Sequence, residues 1–168
     1  MTFAPDITEQ MARARADLRM GVPVVLLGAA PVVIMAAETL SPQRFADVLA
    51  LGGDPVLAVT ARRAKTLKVH AYDGDLARII LPEDATPGWV QGVADPADDL
   101  RAPMKGPLRS ARGGPVVAHR TAVRLVKSAR LLPAALVLSV PNAADFAAQN
   151  MLTTLKREKQ GQCRLRPS

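Results

Sequence analysis

Short apolar runs alternate with segments of helical period along most of this chain, and this alternation strongly constrains its fold. The apolar runs are residues 22–27, 32–37, 55–60, 76–81 and 134–140, with a further short run at 151–155. Runs of this length between turn-forming residues are typical of buried strands. The segments between them carry apolar side chains on one face, which is typical of helices packed on a sheet. We therefore predict one α/β domain (mixed α+β), a sheet covered by helices, with residues 151–155 as an edge strand.

Local signals predict where several helices begin and end. Ser41 and Pro42 fit the N-cap and the first turn of a helix. Thr8 is the predicted cap of the first helix, and Gly21 its end. Residues 95–115 are rich in Pro and Gly, which predicts an irregular crossing segment. Hydrophobic residues make up 49% of the 168 residues but aromatic ones only 3%, so Ala, Val and Leu must fill the core.

The net charge of +7 is concentrated at the C-terminus. Residues 156–168 carry five basic side chains against Glu158, a net +4 that leaves +3 for the other 155 residues. We therefore divide the chain into a domain of residues 1–155 and a basic tail of residues 156–168. Proteins that bind single strands or RNA usually combine charge with stacking aromatic rings, and this tail has none. We do not expect a nucleic acid partner, although polyanion binding through the tail stays an alternative.

Several other protein classes are excluded by simple features of the sequence. No apolar run reaches the roughly 18 residues that a membrane-spanning helix needs. Asp6 and Glu9 precede the first basic residues and no long apolar stretch follows, so the N-terminus is not a secretory signal. Cys163 is the single cysteine, which excludes an internal disulfide and a multi-cysteine zinc site. The expected location is cytoplasmic, with no membrane partner.

Three blocks, in the same order along the chain, resemble one enzyme family. They are ADLRMGVPVV at 16–25, a stretch over 32–67 that contains IMAAETLSP, and a stretch over 94–137 that contains PLRSARGG. The set resembles 3,4-dihydroxy-2-butanone 4-phosphate synthase, and in particular the divergent synthase-like region before the cyclohydrolase domain of some bacterial GTP cyclohydrolase II proteins. This resemblance implies a mixed α/β fold, a homodimer with active sites at the subunit interface, and a cyclohydrolase domain as a partner.

The resemblance fails where the family performs its chemistry. It implies enolisation and rearrangement of ribulose 5-phosphate, with oxygen ligands holding magnesium. The family has an acidic loop before its second strand, whereas residues 28–31 here are GAAP. His119 matches a metal-binding His of the family, but Ala118, Arg120 and Thr121 replace its neighbours in the motif. We predict a catalytically degenerate domain, a structural, dimerising or regulatory module, with His119 vestigial. No cofactor is expected, and magnesium only if the site is active.

A phosphate-binding turn is the second candidate site. Gly113 and Gly114 precede a predicted helix, where backbone N–H groups can face a phosphate, and Arg109 and Arg112 add positive charge. No Gly-Lys-Ser/Thr sequence follows, so a structural turn is the favoured interpretation. An active sugar-phosphate enzyme with a site rebuilt from His119, Arg109 and Arg112 stays the alternative.

Two pairs of carboxylates lie in predicted turns and loops. Asp73 and Asp75 flank Gly74, which is typical of a turn. Asp98 and Asp99 are adjacent in the Pro-rich segment and are expected to be solvated.

Overall fold

The structure is a computed structural model that describes residues 3–100 and 108–156. Six strands form one sheet in the order β4-β3-β5-β2-β1-β6. All neighbouring strands are antiparallel except β1 and β6. The strands are β1 Val24–Leu27, β2 Val32–Ala36, β3 Val56–Thr60, β4 Leu76–Ile80, β5 Ala134–Ser139 and β6 Thr153–Lys156. The helices are α1 Ile7–Arg19, α2 Pro42–Ala50, α3 Ala61–Thr66, α4 Pro87–Ala94, α5 Val117–Ser128 and α6 Ala143–Gln149.

Helices cover both faces of this sheet because successive side chains of each strand point to opposite sides. In β2, Ile34 packs in the layer that contains buried residues of α1 and α5. Its neighbour Met35 packs in the layer that contains Phe45 of α2 and Val90 of α4. The core is built mainly from Val, Leu, Ile, Met and Ala. The prediction of a single mixed α/β domain with a sheet covered by helices is confirmed.

Helix ends follow local chemistry, with one correction. The Ser41 hydroxyl accepts a hydrogen bond from the Arg44 N–H, and Pro42 is the first residue of α2, as predicted. The predicted cap Thr8 is wrong, because the Asp6 carboxylate accepts from the Glu9 N–H while the Glu9 side chain accepts from the Asp6 N–H. This reciprocal pair satisfies two N–H groups at once, which the Thr8 hydroxyl cannot do at its position inside the helix.

In the described residues between α4 and α5, a 3₁₀ turn forms at Pro96–Leu100. Asp99 in this turn binds Arg63 of α3 through two hydrogen bonds, of 2.7 and 2.9 Å. The Arg63 side chain is buried, and its Nε donates to the Val93 carbonyl at the end of α4 over 2.8 Å. The expectation that Asp99 is solvated is therefore wrong, since a buried guanidinium requires an anionic partner. The Asp98 side chain lies outside the described part.

The strand β6 lies at the edge of the sheet opposite β4. The sequence predicts an edge strand at residues 151–155, and the observed strand is Thr153–Lys156. Lys156 is the last residue of β6, and residues 157–168 of the basic tail lie outside the described part, together with Cys163. Among the described residues, no helix combines the length and the apolar character needed to cross a bilayer.

Candidate functional site

A segment that crosses the open edge of β4 carries the candidate phosphate-binding residues. Ser110 forms an antiparallel bridge with Ile79 of β4. The Ile80 N–H donates to the Arg109 carbonyl over 2.8 Å. The Ala111 N–H donates to the Arg78 carbonyl over 2.6 Å. The Ser110 hydroxyl donates to the His70 carbonyl over 2.8 Å. These bonds hold residues 109–111 of the crossing segment against β4, and a binding site needs such support from a rigid element of the fold.

Beneath this segment lies a buried ion pair between Arg78 of β4 and Asp73 of the preceding turn. The Arg78 guanidinium donates to both oxygens of Asp73, over 2.9 and 3.2 Å. Both side chains are only 8% exposed. Arg78 also donates to the Gly113 carbonyl over 2.7 Å. The Arg78 guanidinium therefore connects β4, the turn that contains Asp73 and the crossing segment.

His119 lies in the first turn of α5 and faces this ion pair. Its Nδ1 is buried and has no hydrogen-bond partner. Burial lowers the pKa of His119 below its ordinary value, and the positive charge of Arg78 lowers it further, while Asp73 acts in the opposite direction. The imidazole is therefore neutral at physiological pH, because desolvation and a neighbouring cation both disfavour its protonated form.

Arg112 and Arg109 extend into solvent from the crossing segment. The Arg112 guanidinium lies 4.7 Å from the centroid of the Tyr72 ring, a cation–π contact, and the ring of His70 lies 4.4 Å from that of Tyr72. The structure thus brings Arg112 to the same turn that supplies Asp73.

The glycine pair has an open environment. Gly113 and Gly114 have φ of +79° and +75°, which favours glycine, and a Cβ on either would meet no atom within 4 Å. No side chain caps the start of α5 at Val116. The two glycines are therefore exposed to solvent, although the Gly113 carbonyl accepts a hydrogen bond from Arg78.

The second carboxylate of the turn is also paired with an arginine. Arg120 of α5 donates to both oxygens of Asp75, over 2.8 and 2.9 Å. The hydrogen bond from Arg120 lowers the pKa of Asp75 below its ordinary value. This pair is exposed, with 54% of the Asp75 side chain accessible to solvent. The turn thus carries one buried and one exposed Arg–Asp pair.

These residues do not fit a magnesium ion. Magnesium requires several oxygen ligands, and the described residues contain no group of three or more His, Cys, Asp or Glu that could hold a metal. The carboxylate that acts on His119, Asp73, already uses both oxygens to bind Arg78. Both oxygens that Asp73 could offer to a metal ion are therefore already bound to a guanidinium.

The pairing of Asp73 with Arg78 was not predicted from the sequence. A usable signal was present, since Arg78 is a charged residue within the apolar run 76–81. A charge in a buried strand needs a partner of opposite sign, and Asp73 is the carboxylate five residues before it.

Comparison with known proteins agrees with this fold. A 3,4-dihydroxy-2-butanone 4-phosphate synthase of Candida albicans superposes with a TM-score of 0.63 at 16% identity, covering 93% of this chain and 95% of that one. A two-domain synthase from A. baumannii also gives 0.63, at 17% identity, covering 87% of this chain and 55% of that one. A synthase in complex with two magnesium ions gives 0.60 at 16% identity, covering 87% of this chain and 92% of that one.

The chain has the fold of 3,4-dihydroxy-2-butanone 4-phosphate synthase.

A comparison of sequences connects this synthase-like domain to a second enzyme. A GTP cyclohydrolase-2 of Azospirillum brasilense is 32% identical over an alignment 154 residues long, which covers 86% of this chain. The synthase-like domain spans only 39% of the length of that relative. No family model matches the chain. The resemblance that was inferred from three blocks of sequence is confirmed.

Proposed function

We propose that the synthase-like domain is catalytically degenerate and serves as a structural, dimerising or regulatory module of a GTP cyclohydrolase II in riboflavin biosynthesis. The similarity to a GTP cyclohydrolase-2 supports the association. The chain spans 39% of that relative, so a cyclohydrolase domain in the same protein is the proposed partner. A cytoplasmic location stays an expectation from the sequence.

The buried pair of Arg78 and Asp73 is the observation that best supports the proposed loss of catalysis. Enolisation of a sugar phosphate develops negative charge on oxygen, which a divalent cation stabilises in the synthase chemistry. Here the Asp73 carboxylate is neutralised by Arg78 and both side chains are 8% exposed. His119, neutral and with a buried Nδ1, has no free carboxylate among its described electrostatic partners to share a magnesium ion with it.

The test is an assay of the chain with ribulose 5-phosphate and magnesium, following formate release. We expect no formate above a control without protein. Formate release that disappears in His119→Ala would contradict the proposal. The Arg120→Met variant is the matched control, because it alters the neighbouring residue of α5 but leaves the pair of Arg78 and Asp73 intact.

A sugar-phosphate enzyme with a rebuilt site is the second candidate. The orphaned Nδ1 of His119 favours it, since a buried polar atom without a partner is often a site for a ligand. In that case Arg109 and Arg112 would bind the phosphate beside the exposed turn of Gly113 and Gly114. The same assay separates the two candidates. Phosphate protection of Arg112 from arginine-modifying reagents, without turnover, would indicate a binding site that has lost its chemistry.

A further inference from the structure

A cleft with a largely apolar lining lies between α2 and α6. Its volume is about 290 Å³, and its lining includes Val33 of β2 and Val48 of α2, which are both buried. Phe146 of α6 and Leu152, which follows that helix, continue the apolar lining. Pockets that bind drug-sized ligands measure about 300–1,000 Å³. A ligand that fits this cleft is therefore a small molecule.

Two side chains of opposite charge line the same cleft from α2. Arg44 and Asp47 lie three residues apart, a spacing at which the Cβ atoms of a helix are about 5–6 Å from each other. Within residues 3–100 and 108–156, no ion pair joins these two side chains. The Asp47 carboxylate accepts a hydrogen bond from the neutral amide of Gln43 over 3.1 Å. The cleft therefore presents a cation and an anion side by side.

The Arg44 guanidinium is held in position by a neutral group. One of its terminal nitrogens donates to the Gly21 carbonyl over 2.8 Å, and in the described part of the chain the guanidinium makes no other hydrogen bond. A carbonyl oxygen orients the guanidinium but does not cancel its charge. A guanidinium carries several N–H donors in a planar fork that matches a carboxylate. Arg44 is therefore oriented and still able to bind an anionic group.

We propose that this cleft binds a free α-amino acid with an apolar side chain. The carboxylate of the ligand binds Arg44, its ammonium group binds Asp47, and its side chain packs on Phe146 and Leu152. A simple anion fits less well because Asp47 repels it, and an uncharged apolar molecule would desolvate both charges without pairing them. The inference is independent of the proposed function, since the cleft shares no lining residue with the candidate site at β4.

Isothermal titration calorimetry of the chain with single amino acids tests the binding. The ligands are leucine, isoleucine, valine, methionine and phenylalanine, and glycine is the control without an apolar side chain. We expect at least one apolar amino acid to bind, and glycine to bind about tenfold more weakly or less, because burial of an apolar side chain contributes on this order. Binding by none of the apolar amino acids at about 10 mM, which detects millimolar dissociation constants, overturns the proposal.

Variants and ligand derivatives together assign each charge to its partner. Asp47→Asn should weaken binding of the amino acid about tenfold, since a hydrogen bond between charged groups contributes on this order. It should leave binding of the N-acetyl derivative, which has no ammonium group, unchanged. Arg44→Gln should weaken binding of the amino acid by a similar factor and leave binding of its amide derivative, which has no carboxylate, unchanged. Circular dichroism must show that Arg44→Gln is folded, because this variant loses the bond to the Gly21 carbonyl.

Asp145→Asn is the matched control, because Asp145 is an exposed carboxylate of α6 that does not line the cleft. Asp47→Asn keeps an oxygen that can accept from Gln43, so loss of binding in this variant cannot be ascribed to unfolding. An N-acetyl derivative that binds as tightly as the amino acid overturns the proposal, and so does unchanged affinity in Asp47→Asn. Equal weakening in Asp145→Asn also overturns it, since the effect would not be specific to the cleft.

Discussion

The two Arg–Asp pairs of one turn allow a controlled measurement of what burial does to an ion pair. Asp73 and Arg78 are each 8% exposed, whereas Asp75 and Arg120 are 54% and 30% exposed. Arg78→Met would leave the Asp73 carboxylate buried without a cation and the Gly113 carbonyl without its donor. Removal of one partner from a buried pair costs about 3–5 kcal/mol of unfolding free energy, because the remaining charge is uncompensated.

The expected loss is large relative to the stability of a domain of this size. At about 2–4 °C per kcal/mol for domains of about 150 residues or more, it lowers the melting temperature by roughly 6–20 °C. Asp73→Asn should have a comparable effect, since it leaves the Arg78 guanidinium buried and unpaired. The double variant Asp73→Asn/Arg78→Met should be more stable than Arg78→Met alone, because no buried charge remains.

Urea denaturation followed by circular dichroism measures all four proteins of this double-mutant cycle. Arg120→Met is the exposed control, and it should cost no more than about 1 kcal/mol because water screens the pair of Arg120 and Asp75. The reasoning is refuted if Arg78→Met costs as little as Arg120→Met, or if the double variant is less stable than both single variants together predict. Either result would mean that water or another group already compensates Asp73.

Three further predictions concern other parts of the chain. The unfolding free energy should fall as the pH is lowered below 6.5, because folding lowers the pKa of His119 and the unfolded state then binds more protons. In urea titrations between pH 5 and 7, His119→Leu should reduce the dependence of the unfolding free energy on pH, and an unchanged dependence would contradict the assignment. In thermal melts, Gly21→Ala should lower the melting temperature by more than Gly52→Ala does. Both glycines have positive φ, but a Cβ at Gly21 would lie 2.6 Å from the Thr39 carbonyl oxygen, whereas a Cβ at Gly52 would meet no atom within 4 Å. Equal losses would show that the structure around Gly21 relaxes to accept the Cβ. Removal of residues 157–168 deletes four basic residues and one acidic residue. It should therefore abolish most salt-sensitive binding to heparin and change the melting temperature little. Heparin affinity that survives the truncation would locate the basic surface elsewhere.

Local chemistry made much of the secondary structure predictable from the sequence. The Ser41 hydroxyl, Pro42 and Gly21 mark helix ends because their conformational and hydrogen-bonding preferences act within a few residues. The apolar runs became strands β1 to β5 within two residues of their predicted ends. The Asp6 cap was missed because the choice between two nearby capping residues depends on the reciprocal bond from Glu9.

The candidate site was only partly predictable. The resemblance located His119 and the segment with Arg109, Arg112 and the two glycines, since these are contiguous in the sequence. The buried pair of Asp73 and Arg78 was not predicted, although Arg78 is a charged residue within the apolar run 76–81. That burial depends on residues 108–114 crossing β4 more than 30 residues later in the chain, and Arg63 finds Asp99 across a similar separation.

The sequence by itself determined that this chain forms strands and helices in a fixed succession, and it showed a synthase-like pattern whose acidic loop is replaced by residues 28–31. Only the tertiary structure decided the strand order β4-β3-β5-β2-β1-β6. Five apolar runs of similar length and composition do not by themselves specify which strand pairs with which, and the packing of helices on the sheet selects one order. Only the tertiary structure also decided that Asp73 pairs with Arg78 and that the Met151 side chain is exposed. Whether a charge is paired or an apolar side chain exposed depends on which distant segments pack against it, and that information lies in the packing of the whole chain.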